Sequence, residues 1–178
     1  MTIQSLTLSL ILLGLTACTH SSALPPLPAE YRFPPKFYVE QKLSVVTPTG
    51  NKQMVGQLER RQDEFKLVLT DVLTGIVLTQ VVLAKDQEPK VLYLAPVLLD
   101  KKFPGEKISE AIQYLYEAGP IPLVNTIYTV EDPQKRWTYK WQTLRGDKDC
   151  LFPEDISLSF ADERFNVMIS LKELDCKI

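Results

Sequence analysis

The stretch Phe65-Lys66-Leu67-Val68-Leu69-Thr70-Asp71-Val72-Leu73-Thr74-Gly75-Ile76 decides how this chain folds. Phe65, Leu67 and Leu69 alternate with Lys66 and Thr70, the period of a strand with one buried face. Asp71 and Gly75 interrupt the pattern, and Ile76–Leu83 resumes it as a second strand. Alternation points Phe65, Leu67 and Leu69 inward, so the connection over residues 71–75 lies beyond the sheet, where little core is available. Leu73 is therefore expected at an exposed loop tip. The alternative is that Val72 and Leu73 fold back onto the end of the sheet.

Outward from this hairpin the same period recurs. Phe37–Val39 and Leu43–Val45 alternate with Glu40, Lys42 and Ser44. Thr49-Gly50-Asn51 reads as a turn, Met54–Arg61 as the returning strand, and Gln62-Asp63-Glu64 as another turn. Val91–Ala95 follows. The period then changes: Ile108, Ala111, Ile112 and Leu115 fall at helical spacing within Glu106–Ala118, with Gly119 as the stop and Pro120 beyond it. Strands resume at Ile121–Val130 and Arg136–Leu144. In the latter, Trp137, Tyr139 and Trp141 share a face, either as core or as the wall of a cavity for an amphiphile. A final hairpin places Ile156, Leu158 and Phe160 against Phe165, Val167, Ile169 and Leu171, around a turn at Asp162-Glu163. The fold class is mainly β (α+β): about eight to ten antiparallel strands in a strongly curved sheet, with one helix on the concave side. The helix covers part of the inner face and leaves room for a ligand over the rest.

The N-terminus carries a different message. Leu15-Thr16-Ala17-Cys18 directly follows the apolar run Leu8–Leu15 and reads as a lipobox: cleavage before Cys18, whose thiol takes a diacylglyceryl group. The expected organisation is a lipoprotein signal peptide over 1–17, lipidated Cys18 with a proline-rich tether over 18–35, and a folded domain over 36–178. An ordinary secretory leader and a single transmembrane helix are the alternatives. The apolar run is short against the ~20 residues a spanning helix needs. Residues 1–17 contain no Lys or Arg, which is off-pattern for a leader.

Composition excludes several functions. A net charge of −2 leaves no electrostatic footprint for nucleic acid. His20, the single histidine, lies in the tether, so neither a metal site nor a histidine-activated cysteine is expected. No Gly-x-Ser-x-Gly elbow, phosphate-binding glycine loop or His-Glu-x-x-His occurs. Asp147, Asp149, Glu154 and Asp155 lack the glycine turn and distal Glu of a calcium loop and read as a solvated loop. The expectation is a non-enzyme without cofactor, metal or catalytic residues. Once Cys18 is lipidated, Cys150 and Cys176 remain as a lone pair flanking the last hairpin; in an oxidising periplasm they form a disulfide, and otherwise they are two buried thiols.

The chain resembles a known family. Leu67-Val68-Leu69-Thr70-Asp71-Val72-Leu73-Thr74-Gly75 is similar to the strand–loop–strand of LolB, the outer-membrane lipoprotein receptor. Gly119-Pro120-Ile121-Pro122-Leu123 is similar to the turn after its first lid helix, and Pro153-Glu154-Asp155-Ile156-Ser157-Leu158 with the following strand to its C-terminal hairpin. The matches stay in order over about residues 36–172. Within this LolA/LolB-like group the chain looks closest to uncharacterised lipoproteins associated with aryl-polyene biosynthesis. The resemblance implies an incomplete β-barrel with a helical lid and an apolar interior for acyl chains, lined by Leu43, Leu58, Leu67, Leu69, Tyr93, Ile108, Ile112, Leu115, Trp137, Tyr139 and Trp141. It makes Leu73 the membrane-insertion residue and implies a periplasmic LolA-like carrier as partner, with the protein at the periplasmic face of the outer membrane. Val72 stands where the family has proline and Thr74 where it has glycine. Too few residues separate Leu123 from Trp137 for a second lid helix, which implies a shallower, more open cavity.

Three functions compete. The first is an outer-membrane acceptor or carrier that binds acyl chains or another amphiphile, such as a lipoprotein or a lipid-linked aryl polyene. The second is a structural or assembly lipoprotein that binds a protein partner and carries no cargo. The third is an enzyme.

Overall fold

The computed structural model describes residues 27–47, 50–84, 87–96, 105–161 and 166–177. The leader with Cys18, the tether up to residue 26, the turn at Asp162-Glu163 and Phe165 lie outside them, as does Thr49 of the first expected turn.

The strands are β1 (Glu30–Tyr31), β2 (Lys36–Thr47), β3 (Gly50–Arg61), β4 (Glu64–Asp71), β5 (Val77–Ala84) and β6 (Lys90–Leu94). After the helix α1 (Gly105–Glu117) come β7 (Ile121–Val124), β8 (Ile127–Asp132), β9 (Trp137–Trp141), β10 (Leu144–Asp147), β11 (Cys150–Pro153), β12 (Asp155–Phe160) and β13 (Asn166–Asp175). Eleven of them form one sheet in the order β1-β7-β8-β9-β12-β13-β2-β3-β4-β5-β6, and β10 and β11 make a separate ribbon. Every pairing is antiparallel. β2 to β5 is the meander read from alternation, and Phe65, Leu67 and Leu69 are all buried.

Hydrogen bonds to α1 establish the curvature. Tyr139 on β9 donates its hydroxyl to the Ala111 carbonyl at 2.7 Å, and Gln113 Nε2 reaches the Ala84 carbonyl on β5 at 3.4 Å. Those two strands are six positions apart in the sheet, about 29 Å if it were flat at ~4.8 Å per strand. A helix is only about 10–12 Å across with its side chains. Strands so far apart can touch residues two positions apart on one helix only if the sheet curls around it. The two outermost strands, β1 and β6, are not paired with each other, so the curl stays an incomplete barrel.

Three expectations are corrected. Ile121–Val130 is not one strand but the β7–β8 hairpin. Asn125 and Thr126 turn the chain at φ 50° and 65°, the left-handed pair that suits a two-residue hairpin turn. Arg136–Leu144 ends at Trp141, because the chain leaves the sheet to make β10–β11; the acidic residues read as a solvated loop belong to or border that ribbon. Gly146 is required in it: its φ is +123°, and a Cβ there would sit 2.0 Å from the Cys150 carbonyl oxygen. The third correction concerns the tether. The folded body begins well before residue 36, since Tyr31 and Phe33 are in the core and β1 pairs with β7.

Cys150 and Cys176 are joined by a disulfide with a Cα–Cα distance of 5.9 Å, tying the β10–β11 ribbon to the residue just beyond β13. Arg145 adds a second tie. The register of β13 against β2 shifts between Leu171 and Glu173, and Arg145 Nη2 donates to the Leu171 and Lys172 carbonyls there, at 3.2 and 2.9 Å.

Candidate functional site: a sealed interior and a bare margin

Ten of the eleven residues expected to line a ligand cavity share the barrel interior. Leu43, Leu58, Leu67, Leu69, Ile108, Ile112, Leu115, Trp137, Tyr139 and Trp141 are each 5% exposed or less. Among the described residues they belong to one packed cluster. α1 contributes its apolar stripe Ile108, Ala111, Ile112, Leu115 and Tyr116 to that cluster, packed onto the concave face. Tyr93, the eleventh, is 42% exposed on β6 and lies apart from them.

Polar contacts fix the helix. Tyr116, wholly buried, shares hydrogen bonds with Gln41, whose Nε2 donates to the hydroxyl at 3.0 Å. Burial holds the Tyr116 and Tyr139 hydroxyls protonated well above the ordinary phenol range; for Tyr139 the Asp132 carboxylate acts in the same direction. Both remain donors at any physiological pH. Arg60 lies on the core-facing parity of β3, two residues after Leu58. Its Nη1 donates to the Tyr116 carbonyl at 3.2 Å and the Pro34 carbonyl at 3.4 Å, and its guanidinium carbon lies 4.9 Å from the Phe65 ring centre. The last turn of α1 has no basic residue, so Arg60 supplies the positive charge that a helix C-terminus favours. Partial burial lowers its pKa, and Glu117 and Asp63 oppose that shift.

The margin is built differently. Leu73 is 91% exposed at the tip of the β4–β5 loop. Asp71 braces that loop: its Oδ1 accepts the N–H groups of Leu73 and Thr74 and the Thr74 hydroxyl, at 3.0, 2.9 and 2.9 Å. The Gly75 N–H closes on the Asp71 carbonyl at 2.9 Å, with Gly75 at φ +68°. The donors from Thr74, then that from Leu73 and the charge of Lys52, hold the Asp71 carboxyl below its usual range. Leu73 is thus presented by a braced loop. Val72, Ile76 and Val77 beside it are also exposed, and so is the whole of β6, where Val91, Leu92, Tyr93 and Leu94 are 39–49% exposed. Leu94 pairs with Thr79 near the loop, so the apolar strip runs from Leu73 along the free edge of the sheet.

Open clefts among the described residues lie elsewhere. One of about 520 Å³ runs between the end of α1 and the β7–β8 hairpin, beside Tyr114, Pro120 and Val130. One of about 210 Å³ is bordered by Lys140, Ser157 and Met168. Among the described residues no group of three or more His, Cys, Asp and Glu is placed to hold a metal, and no helix is long and apolar enough to cross a membrane.

The solved structure of a LolA superfamily protein from Nitrosomonas europaea superposes on 83% of this chain and 89% of its own, with a TM-score of 0.50 at 9% identity. The fold is LolA-like. Weaker likenesses link this LolA-like chain to a DUF1329 family protein from Desulfovibrio piger (TM-score 0.43, 9% identity, 82% and 87% of the two chains). A domain from Vibrio parahaemolyticus, described as putative outer membrane lipoprotein-sorting, has a TM-score of 0.43 at 7% identity over 80% and 85%. No protein-family model and no curated protein matches the sequence. Sequence reasoning missed Arg60, Asp71 and the pair Tyr31 and Phe33. Arg60 had a signal, a charge at a core-facing position of an alternating strand. Asp71 had another, an Asp three residues before a Thr in a turn.

Proposed function

We propose that this LolA-like protein is an envelope lipoprotein, anchored through acylated Cys18 at the periplasmic face of the outer membrane. It takes acyl chains of an amphiphile into its curled sheet and helps place that cargo in the membrane, receiving it from a periplasmic LolA-like carrier. The observation that carries the reading is Leu73, 91% exposed on a loop braced by Asp71. Nothing in the packing needs a large apolar side chain there, whereas burying it in a bilayer gains about 1.5–3 kcal/mol. The interior, sealed in this conformation, receives an acyl chain when α1 lifts from the sheet. Native protein purified from its host, extracted and analysed by mass spectrometry, tests this: co-purified acyl or polyene species support a carrier.

The bare β6 edge favours a second reading, an assembly lipoprotein that pairs its free strand with a protein partner. A protein free of lipid but held in a stable complex supports that one.

A further inference from the structure

The segment over residues 27–35 is tied to the sheet sparsely by its backbone and firmly by two side chains. β1 has two residues, lies at the outermost edge, and pairs only through Glu30↔Pro122 and Tyr31↔Ile121. Next to it, Ala29 accepts from the Leu123 N–H at 2.8 Å and the Pro28 carbonyl accepts the Tyr128 hydroxyl at 2.6 Å. Pro28, Pro34 and Pro35 have no N–H and cannot extend the ladder. Tyr31 and Phe33, by contrast, are 2% and 8% exposed, deep among Tyr116, Tyr128, Trp141 and Phe152, with ring centres 4.6–6.0 Å apart. Two aromatic side chains from an edge segment therefore fill one flank of the interior. Arg60 Nη1 donates both to Pro34 in this segment and to Tyr116 at the end of α1, linking the two.

We propose that residues 27–35 form a displaceable strap. Withdrawing Tyr31 and Phe33 opens an aromatic chamber on the β1 side of the unpaired seam, and an acyl chain takes their place. Arg60 links this movement to α1, because a departing strap removes one of the two carbonyl partners of its Nη1. The identity of the occupant rests on the acyl-binding reading above; the mobility of the strap does not. Since a closed strap lowers apparent affinity by the fraction of molecules that are open, removing its plug tightens binding.

Hydrogen exchange of the disulfide-bonded protein and binding of a fluorescent palmitate analogue test this together. The amides of residues 29–33 are expected to exchange through a local opening, roughly a hundredfold faster than those of β2 and β3. The double variant Tyr31→Ala, Phe33→Ala is expected to bind the analogue roughly tenfold tighter than wild type. A disulfide across the paired positions, in the double variant Glu30→Cys, Pro122→Cys, is expected to weaken binding by a similar factor. Strap amides that exchange only with the core overturn the strap, as does analogue bound equally well with and without the cross-link. Local opening with no analogue bound by wild type or by the alanine variant overturns the acyl occupant and the acyl-binding reading, while the strap itself stands.

Discussion

The inner face beneath α1 and the margin formed by β6 with the 71–77 loop are made of the same residue types, yet one is sealed and the other bare. Leu67 and Leu69 on β4 are buried, while Leu73, a few residues along the same chain, is 91% exposed. Residue type does not separate them; cover does. α1 holds the curl of the sheet, and beyond the helix, among the described residues, its apolar side chains stand exposed. Contiguous exposed apolar side chains on a soluble surface mark sites of interaction more often than of folding. The margin is the part of the molecule whose composition the fold does not explain.

Truncation should therefore be costly on one side of this divide and nearly free on the other. Leu115→Ala, under the helix, is expected to lower stability by about 2–5 kcal/mol, the range for emptying a packed leucine site. Urea denaturation checks it, and a loss below about 1 kcal/mol would mean the helix does not seal the interior. The next effect tests the frame that holds both regions. Replacing Cys150 and Cys176 with Ala opens a loop of sequence separation 26, and chain entropy sets the expected loss at about 3.5 kcal/mol. Unchanged stability on reduction would show that the ribbon is held by Arg145 and packing alone.

Leu73→Glu lies on the other side. Its stability is expected to remain within about 0.5 kcal/mol of wild type, while binding of the protein prepared without its acyl anchor to phospholipid vesicles in a flotation assay falls. A melting temperature lowered by many degrees would put Leu73 in the core instead. The smallest effect is local to the loop. The Asp71 carboxyl is held below its ordinary value, so its bracing is fully present above that value and is lost as pH falls through the depressed folded one. Amide exchange at Leu73 and Thr74, corrected for the intrinsic pH dependence, should show protection lost only in strong acid. Loss beginning nearer neutral pH would assign the bracing to another group.

The legible parts of the molecule were those where one period governs a whole element. The alternation around Phe65 gave β4 and its neighbours, and the helical spacing of Ile108 to Leu115 gave α1 to within a residue at each end. The Tyr139 stripe faces inward as its parity requires. What stayed hidden depends on contacts distant in sequence. Tyr31 sits in a stretch rich in proline, which reads as spacer until β7 and the aromatic flank receive it. The break after Trp141 has no local signal, since Leu144 and Arg145 continue a plausible strand. The interior residues were identified as a set, but whether they enclose space or fill it is decided by how closely α1 descends.

The unpaired ends of the sheet have a mechanical consequence. A barrel closed by hydrogen bonds has its circumference fixed by strand number and stagger. A sheet whose terminal strands, β1 and β6, do not meet behaves as a split ring. It can widen by changing the twist between neighbouring strands, spread over ten junctions, without breaking a ladder bond. Its interior volume is then a spring-like coordinate, set at rest by the grip of α1.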